Sequence, residues 1–422
     1  AALVLFGLVA FLNHLASPSP QVFRTAAGVK MPGYSLRGAL EQPTKGDIAR
    51  VVRALDTRAQ AVLGGDQSAF MSVVDTDQRS FDHAQLVAWG NTRRLPLAKL
   101  SFAYDGVLEP DNPLHTATFL ARVTTTYEIA GYDTSPVQVD DGFSFVKVHG
   151  SWKLAGVSDA DDQFAKTALP VPWDGPPIDT YGDGHYLAVV DRGKKALGRR
   201  IVALCRVGNR EDRTLLGIEN TRPTVVVATT QTTGFRKFSG FDAEAVTYPL
   251  SGPDGVTPGW RVAVNPHMVA EAAASPVVLP HELTHLATQS YLADSPRWLV
   301  EGSAEYVAYH AHGGLAAEMR GQGYGLRRPV QDRLPDTATF YSRAHVQFDY
   351  VEGTALVTWI EEHRGRDAVV SLMRAYDDAG GYDVSFDPDT ATPGILSKVL
   401  GISPTALATA AYAEMESDVP KA

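Results

Sequence analysis

The apolar residues of this chain change their spacing along its length, and that change constrains the fold more tightly than anything else in the sequence. Ile48, Val51, Val52, Leu55, Ala59, Val62 and Leu63 recur at helical spacing and predict an amphipathic helix of about four turns, with order beginning near Gly46. Alternation then takes over. Phe119, Ala121, Val123, Thr125, Tyr127 and Ile129, then Phe143, Phe145 and Val148, then Trp152 and Leu154 read as strands of an antiparallel sheet. Further on, a helix is expected near Val189–Leu197 and strands at Arg200–Val207, Thr224–Thr230 and Trp260–Val264. From about Val269 to the end the pattern is helical, so the expected class is α+β.

Composition and punctuation divide the chain. With 422 residues, 44% of them hydrophobic and 20% charged, it can bury a full core and is expected to fold as more than one domain. Residues 1–19 open with an unbroken apolar run, Ala1 to Leu12, too short for the roughly 20 residues that span a bilayer. We read it as a truncated membrane anchor or a signal remnant, a buried core helix being the alternative. Residues 20–45, rich in Pro and Gly, read as a linker, and a second Pro-, Asp- and Gly-rich stretch at 160–178, containing Pro170-Val171-Pro172-Trp173, reads as a domain boundary. The expected layout is one domain over 46–160 and a second over 175–420. A long helix followed by a curved meander resembles the cystatin-like roll of nuclear transport factor and its relatives, which implies that fold for the first domain.

The formal net charge of −10 is spread along the sequence without a long Lys or Arg run, which argues against a nucleic-acid partner. Cys205 is the single cysteine, so an intramolecular disulfide and a thiolate-rich metal site are both excluded; its Ile-Val-Ala-Leu-Cys setting reads as core.

The segment His281-Glu282-Leu283-Thr284-His285 carries the chemistry. On a helix, residues four apart share a face, so His281 and His285 can aim two imidazoles at one ion while Glu282, about 100° round, reaches beside it. Leu279, Leu283 and Leu286 fall on the other side, toward a core. Pro280 lacks a backbone donor, so the regular helix is expected to begin only shortly before His281.

Fifteen residues separate His285 from Glu301, which sits in Trp298-Leu299-Val300-Glu301-Gly302-Ser303-Ala304-Glu305-Tyr306. Here the chain resembles the gluzincin zinc metallopeptidases, specifically the Trp-Leu-x-Glu-Gly-x-Ala signature of the aminopeptidase-N-like branch, and His-Glu-Leu-Thr-His is similar to the thermolysin version of the motif. The resemblance implies a zincin-type domain with a small mixed sheet and a helical C-terminal lobe. It further implies Zn2+ held by His281, His285 and Glu301, with Glu282 as the general base for a zinc-activated water that hydrolyses peptide bonds. Two imidazoles and one carboxylate leave a fourth tetrahedral position open, as a catalytic site requires. Glu305, one turn after Glu301, is placed to orient a metal-bound imidazole, a solvent salt bridge being the alternative. His310 and His312 have no partner at ligand spacing.

Tyr350-Val351-Glu352-Gly353 is similar to the Tyr-x-x-Gly helix start of the same branch, which implies that Tyr350 stabilises the oxyanion; Tyr341 and His345 could do the same work. The chain departs from that branch in lacking its Gly-x-Met-Glu-Asn segment, where it has Trp260-Arg261-Val262-Ala263-Val264-Asn265-Pro266-His267, and in its shorter His285–Glu301 spacing. Exopeptidase and endopeptidase activity therefore both stay open. Residues 260–264 are either the edge strand that aligns a peptide or an internal strand. The expected function is zinc-dependent hydrolysis of peptide or protein substrates, with membrane attachment through the apolar start and the peptidase domain extracytoplasmic, or secretion. The alternative is a non-hydrolytic zinc- or ligand-binding protein that uses the N-terminal roll.

Overall fold

The first helix starts where its sequence can satisfy its own open N–H groups. Thr44 Oγ1 accepts from Asp47 N at 3.2 Å and Asp47 Oδ2 accepts from Thr44 N at 3.1 Å, a reciprocal cap that begins α1 (Lys45–Gly64). Gly65, at φ 76°, ends it in a left-handed turn that glycine adopts without a Cβ penalty. Val51, Leu55, Ala59 and Val62 form the buried stripe, whereas Val52 and Leu63, one residue or about 100° further round, are more than a third exposed. The computed structural model describes residues 43–108, 119–157, 171–230, 243–253, 255–289, 294–322, 332–342, 346–381 and 385–418. The apolar start, and nearly all of the 20–45 linker, lie outside these.

Two short helices, α2 (Gln67–Ser72) and α3 (Arg79–Thr92), lead into β1 (Leu97–Leu108), β2 (Phe119–Ile129), β3 (Val137–Val148) and β4 (Ser151–Gly156). These strands form an antiparallel meander in chain order. The alternating residues Ala121, Val123, Thr125, Tyr127 and Ile129 are all buried, as period-2 patterning requires. Trp152 on β4 donates its indole N–H to Asp47 Oδ1 at 2.9 Å and ties the sheet to the start of α1.

The second part opens with β5 (Ile178–Gly182) and β6 (Tyr186–Asp191), then α4 (Lys195–Leu215), β7 (Thr224–Ala228), β8 (Ala245–Pro249) and β9 (Trp260–Val264). The sheet order is β5-β6-β7-β9-β8; β6, β7 and β9 run parallel, and β5 and β8 lie antiparallel at the two ends. The chain is therefore mixed α+β. Two expectations fail here. Val189–Leu197 is not a helix, since it begins in β6, and Arg200–Val207 is not a strand but part of α4. The run Ile201–Cys205 is too short to reveal its period; over the whole of α4 the buried positions Ile201, Cys205, Gly208, Asp212 and Leu215 follow one helical face. Of the two readings for 260–264, the internal strand holds, and among the described strands β8 is the edge.

The remaining described elements are helices: α5 (Val269–Ala274), α6 (Val278–Thr288), α7 (Arg297–His310), α8 (Gly314–Gln322), α9 (Val346–Arg364), α10 (Arg366–Gly380), α11 (Pro388–Leu400) and α12 (Pro404–Asp418). Among the described residues no single helix is long and apolar enough to cross a membrane.

Buried polar contacts join the two parts. Arg261 on β9 pairs with Asp133, just after β2, through Nη1–Oδ1 at 2.9 Å and Nη2–Oδ2 at 3.0 Å. Asn91 on α3 donates to the carbonyls of Trp173 and Pro176 and accepts from Ile178 N, while the Trp173 ring stands edge-on to Tyr127 at 5.0 Å. The Pro-rich stretch expected as a boundary is packed onto the meander at its described end. Cys205 is fully buried, as its apolar neighbours predict.

Candidate metal centre

Helix α6 begins at Val278, which puts Pro280 in the first turn, where a missing N–H costs nothing. Gly208 of α4 makes room for it: a Cβ at that position would lie 2.7 Å from Pro280 Cα. Leu279, Leu283 and Leu286 enter the core, and the histidine face is buried as well, so α6 has no solvated side along the motif.

One turn of α6 brings His281 Nε2 and His285 Nε2 to 3.0 Å from each other, with ring planes 80° apart. Helix α7 supplies Glu301, whose Oε2 lies 3.5 Å from both nitrogens. All three residues are at most 1% exposed, and one ligand atom from each falls within 4.8 Å of the others. Glu301 Oε2 is buried without a hydrogen bond. The set fits a zinc ion, because a tetrahedron with bonds of about 2.0–2.1 Å has edges of about 3.3–3.4 Å, close to the three separations here. An orphaned carboxylate oxygen aimed at two converging imidazoles is otherwise costly to bury.

Two glycines decide that Glu301 reaches this place. A Cβ on Gly302 would collide with the carbonyl of Gly353, and one on Gly353 would lie 2.8 Å from the carbonyl oxygen of Trp298. Backbone of α7 thus rests directly on backbone of α9, and both glycines belong to the segments singled out in the sequence. The same crossing carries Tyr350 to the centre, its ring 6.3 Å from that of His281, fully buried.

Glu305 Oε1 lies 3.3 Å from His281 Nδ1, on the side of the ring away from Glu301. Burial disfavours a charged His281, but the carboxylates of Glu305 and Glu301 outweigh it and raise its pKa well above the usual value. Burial likewise opposes ionisation of Glu301, and the two imidazoles reverse this, holding it below the usual carboxylate range. For Glu282, burial wins and the pKa rises, moderated by both imidazoles and by a hydrogen bond from Thr247.

Several contacts at the centre carried no signal in the sequence, and Tyr341, expected as an alternative oxyanion donor, has a different partner. Thr247, on the edge strand, donates to Glu282 Oε2 at 2.6 Å. Tyr341 donates to Glu301 Oε1 at 2.5 Å, so this hydroxyl is engaged with the carboxylate rather than held open for an oxyanion. Thr284, on the far side of α6, donates to the buried Asp212 of α4 at 2.7 Å. Glu244 and Glu318 are buried near Glu305; burial and the Glu305 charge push Glu244 up to about 7 and Glu318 well above its usual value. His310 and His312 are exposed, and His345 lies outside the described residues. A second group of ligand-type side chains, Glu362, His363 and Glu414, is exposed.

Comparison of the chain with protein-family models, with curated proteins and with solved structures finds no match.

Proposed function

We propose that this chain is a zinc-dependent peptidase of the gluzincin type. The observation that carries the reading is the convergence of His281, His285 and Glu301, all buried, at ligand spacing, with the Glu282 carboxylate beside them. In the same reading the α1-to-β4 unit is a cystatin-like roll, the part from β5 onward is a zincin-type domain with a helical C-terminal lobe, and the protein is either held at a membrane through its apolar segment with the peptidase domain extracytoplasmic or secreted.

Zinc, when bound by His281, His285 and Glu301, supplies Lewis acidity for attack on a peptide carbonyl. Glu282 takes a proton from the attacking water and delivers it to the leaving amine, which requires its carboxylate to be ionised at the outset. Tyr350 donates to the developing oxyanion. Glu305 keeps the Nδ1 proton of His281 in place, so that Nε2 presents its lone pair to the metal. Tyr341 holds Glu301 Oε1, which leaves Oε2 as the ligand oxygen. An extended substrate pairs with the outer edge of β8.

Metal analysis of the purified protein, followed by cleavage of a random peptide library with and without chelator, tests the proposal and separates endo- from exopeptidase. One zinc per chain and chelator-sensitive cleavage are expected. Glu282→Gln should retain zinc and lose turnover, whereas His281→Ala should lose the metal. Undiminished proteolysis by zinc-loaded Glu282→Gln would sink the assignment.

A further inference from the structure

Thr247 is completely buried on β8, where pairing with Val262 of β9 sets its backbone position and β-branching restricts its side chain. Its hydroxyl has one proton and two acceptors in reach, Glu282 Oε2 at 2.6 Å and the Glu282 carbonyl at 3.2 Å. The shorter contact, to a carboxylate, is the stronger. Glu282 Oε1 takes no such bond among the described residues. A glutamate has three side-chain torsions to order, and burial of α6 alone does not choose among its rotamers.

We infer that Thr247 is a positioning residue: its hydroxyl clamps one oxygen of Glu282, so the carboxylate is held in one orientation and Oε1 alone exchanges the proton. This rests on Glu282 acting as the base and adds the element that aims it. The clamp reaches from the edge strand to the helix that carries both imidazoles. A substrate that pairs with β8 is thereby registered on the same strand that orients the base.

The test uses the full chain loaded with zinc. Thr247→Val keeps the shape and removes the donor; kcat should fall roughly 10- to 100-fold, the equivalent of one hydrogen bond to a charged group, with KM and zinc content unchanged. Thr247→Ser restores a hydroxyl and should recover most of the loss. A crystal structure of zinc-loaded Thr247→Val should show the Glu282 carboxylate turned from its parental rotamer. Turnover within twofold of the parent in Thr247→Val, or Thr247→Ser as slow as Thr247→Val, overturns the inference. If the parent binds zinc and cleaves no peptide, the peptidase reading fails on its own account; the crystal structure then decides the clamp, and an unmoved Glu282 refutes it.

Discussion

The joint between the meander and the second sheet makes a quantitative demand. The side chains of Arg261 and Asp133 are 1% and 0% exposed and meet through two N–O pairs at 2.9 and 3.0 Å. Arg261 Nη1 also donates to the Trp260 carbonyl, and Asp133 Oδ2 accepts from Ile129 N at 2.8 Å. Desolvating two ions is expensive, so the intact pair contributes little net stability, but removing one partner strands the other charge and costs about 3–5 kcal/mol. Arg261→Met strands the carboxylate. Asp133→Asn keeps an acceptor for Ile129 N but strands the guanidinium. The double variant has no buried charge and should lie within about 1–2 kcal/mol of the parent, a coupling of several kcal/mol between the two sites. Urea unfolding followed by far-UV circular dichroism and by tryptophan fluorescence measures both the free energies and whether the two parts unfold together. In the parent the two transitions should coincide, and in each single variant they should separate as the joint weakens. Single-variant losses under about 1 kcal/mol would put the pair with ordinary surface ion pairs and refute the reasoning, as would a double variant no more stable than the sum of the singles.

Tyr341→Phe removes the donor that holds Glu301 Oε1, and zinc affinity, measured by chelator competition, should fall about 10- to 100-fold. Gly302→Ala drives a methyl into the Gly353 carbonyl, so the crossing of α7 and α9 must open; a stability loss of about 1–3 kcal/mol by urea unfolding should accompany weaker zinc binding. Asp47, hydrogen-bonded by Thr44 and Trp152, has its pKa lowered from 3.8 to about 2, so it contributes stability above its unfolded pKa that is lost as pH falls through the folded one. The Asp47→Asn variant should therefore melt below the parent at neutral pH, and the gap should close as the pH approaches about 2.

Much of the secondary structure was legible because hydrophobic period is a local property. The stripe of α1, the alternation of β2 and the helical C-terminal third can all be read within a few turns or a few residues. A short window inverts the pattern: Ile201–Cys205 looks like a strand until Gly208, Asp212 and Leu215 extend its face. Strand order is not local at all, and whether β8 or β9 takes the edge depends on which strands pair across the sheet.

The candidate centre divides the same way. That His281 and His285 share a face follows from helix geometry, and the sequence by itself determines it. That Glu301 Oε2 lies equally far from both imidazoles is a matter of tertiary structure, decided by two glycines that let α7 and α9 touch backbone to backbone. The contacts of Thr247 with Glu282 and of Tyr341 with Glu301 span 35 and 40 residues of chain. No local pattern encodes them, because a threonine in a strand and a tyrosine in a loop have the same propensities whether or not a carboxylate waits opposite. Close packing in three dimensions selects those partners.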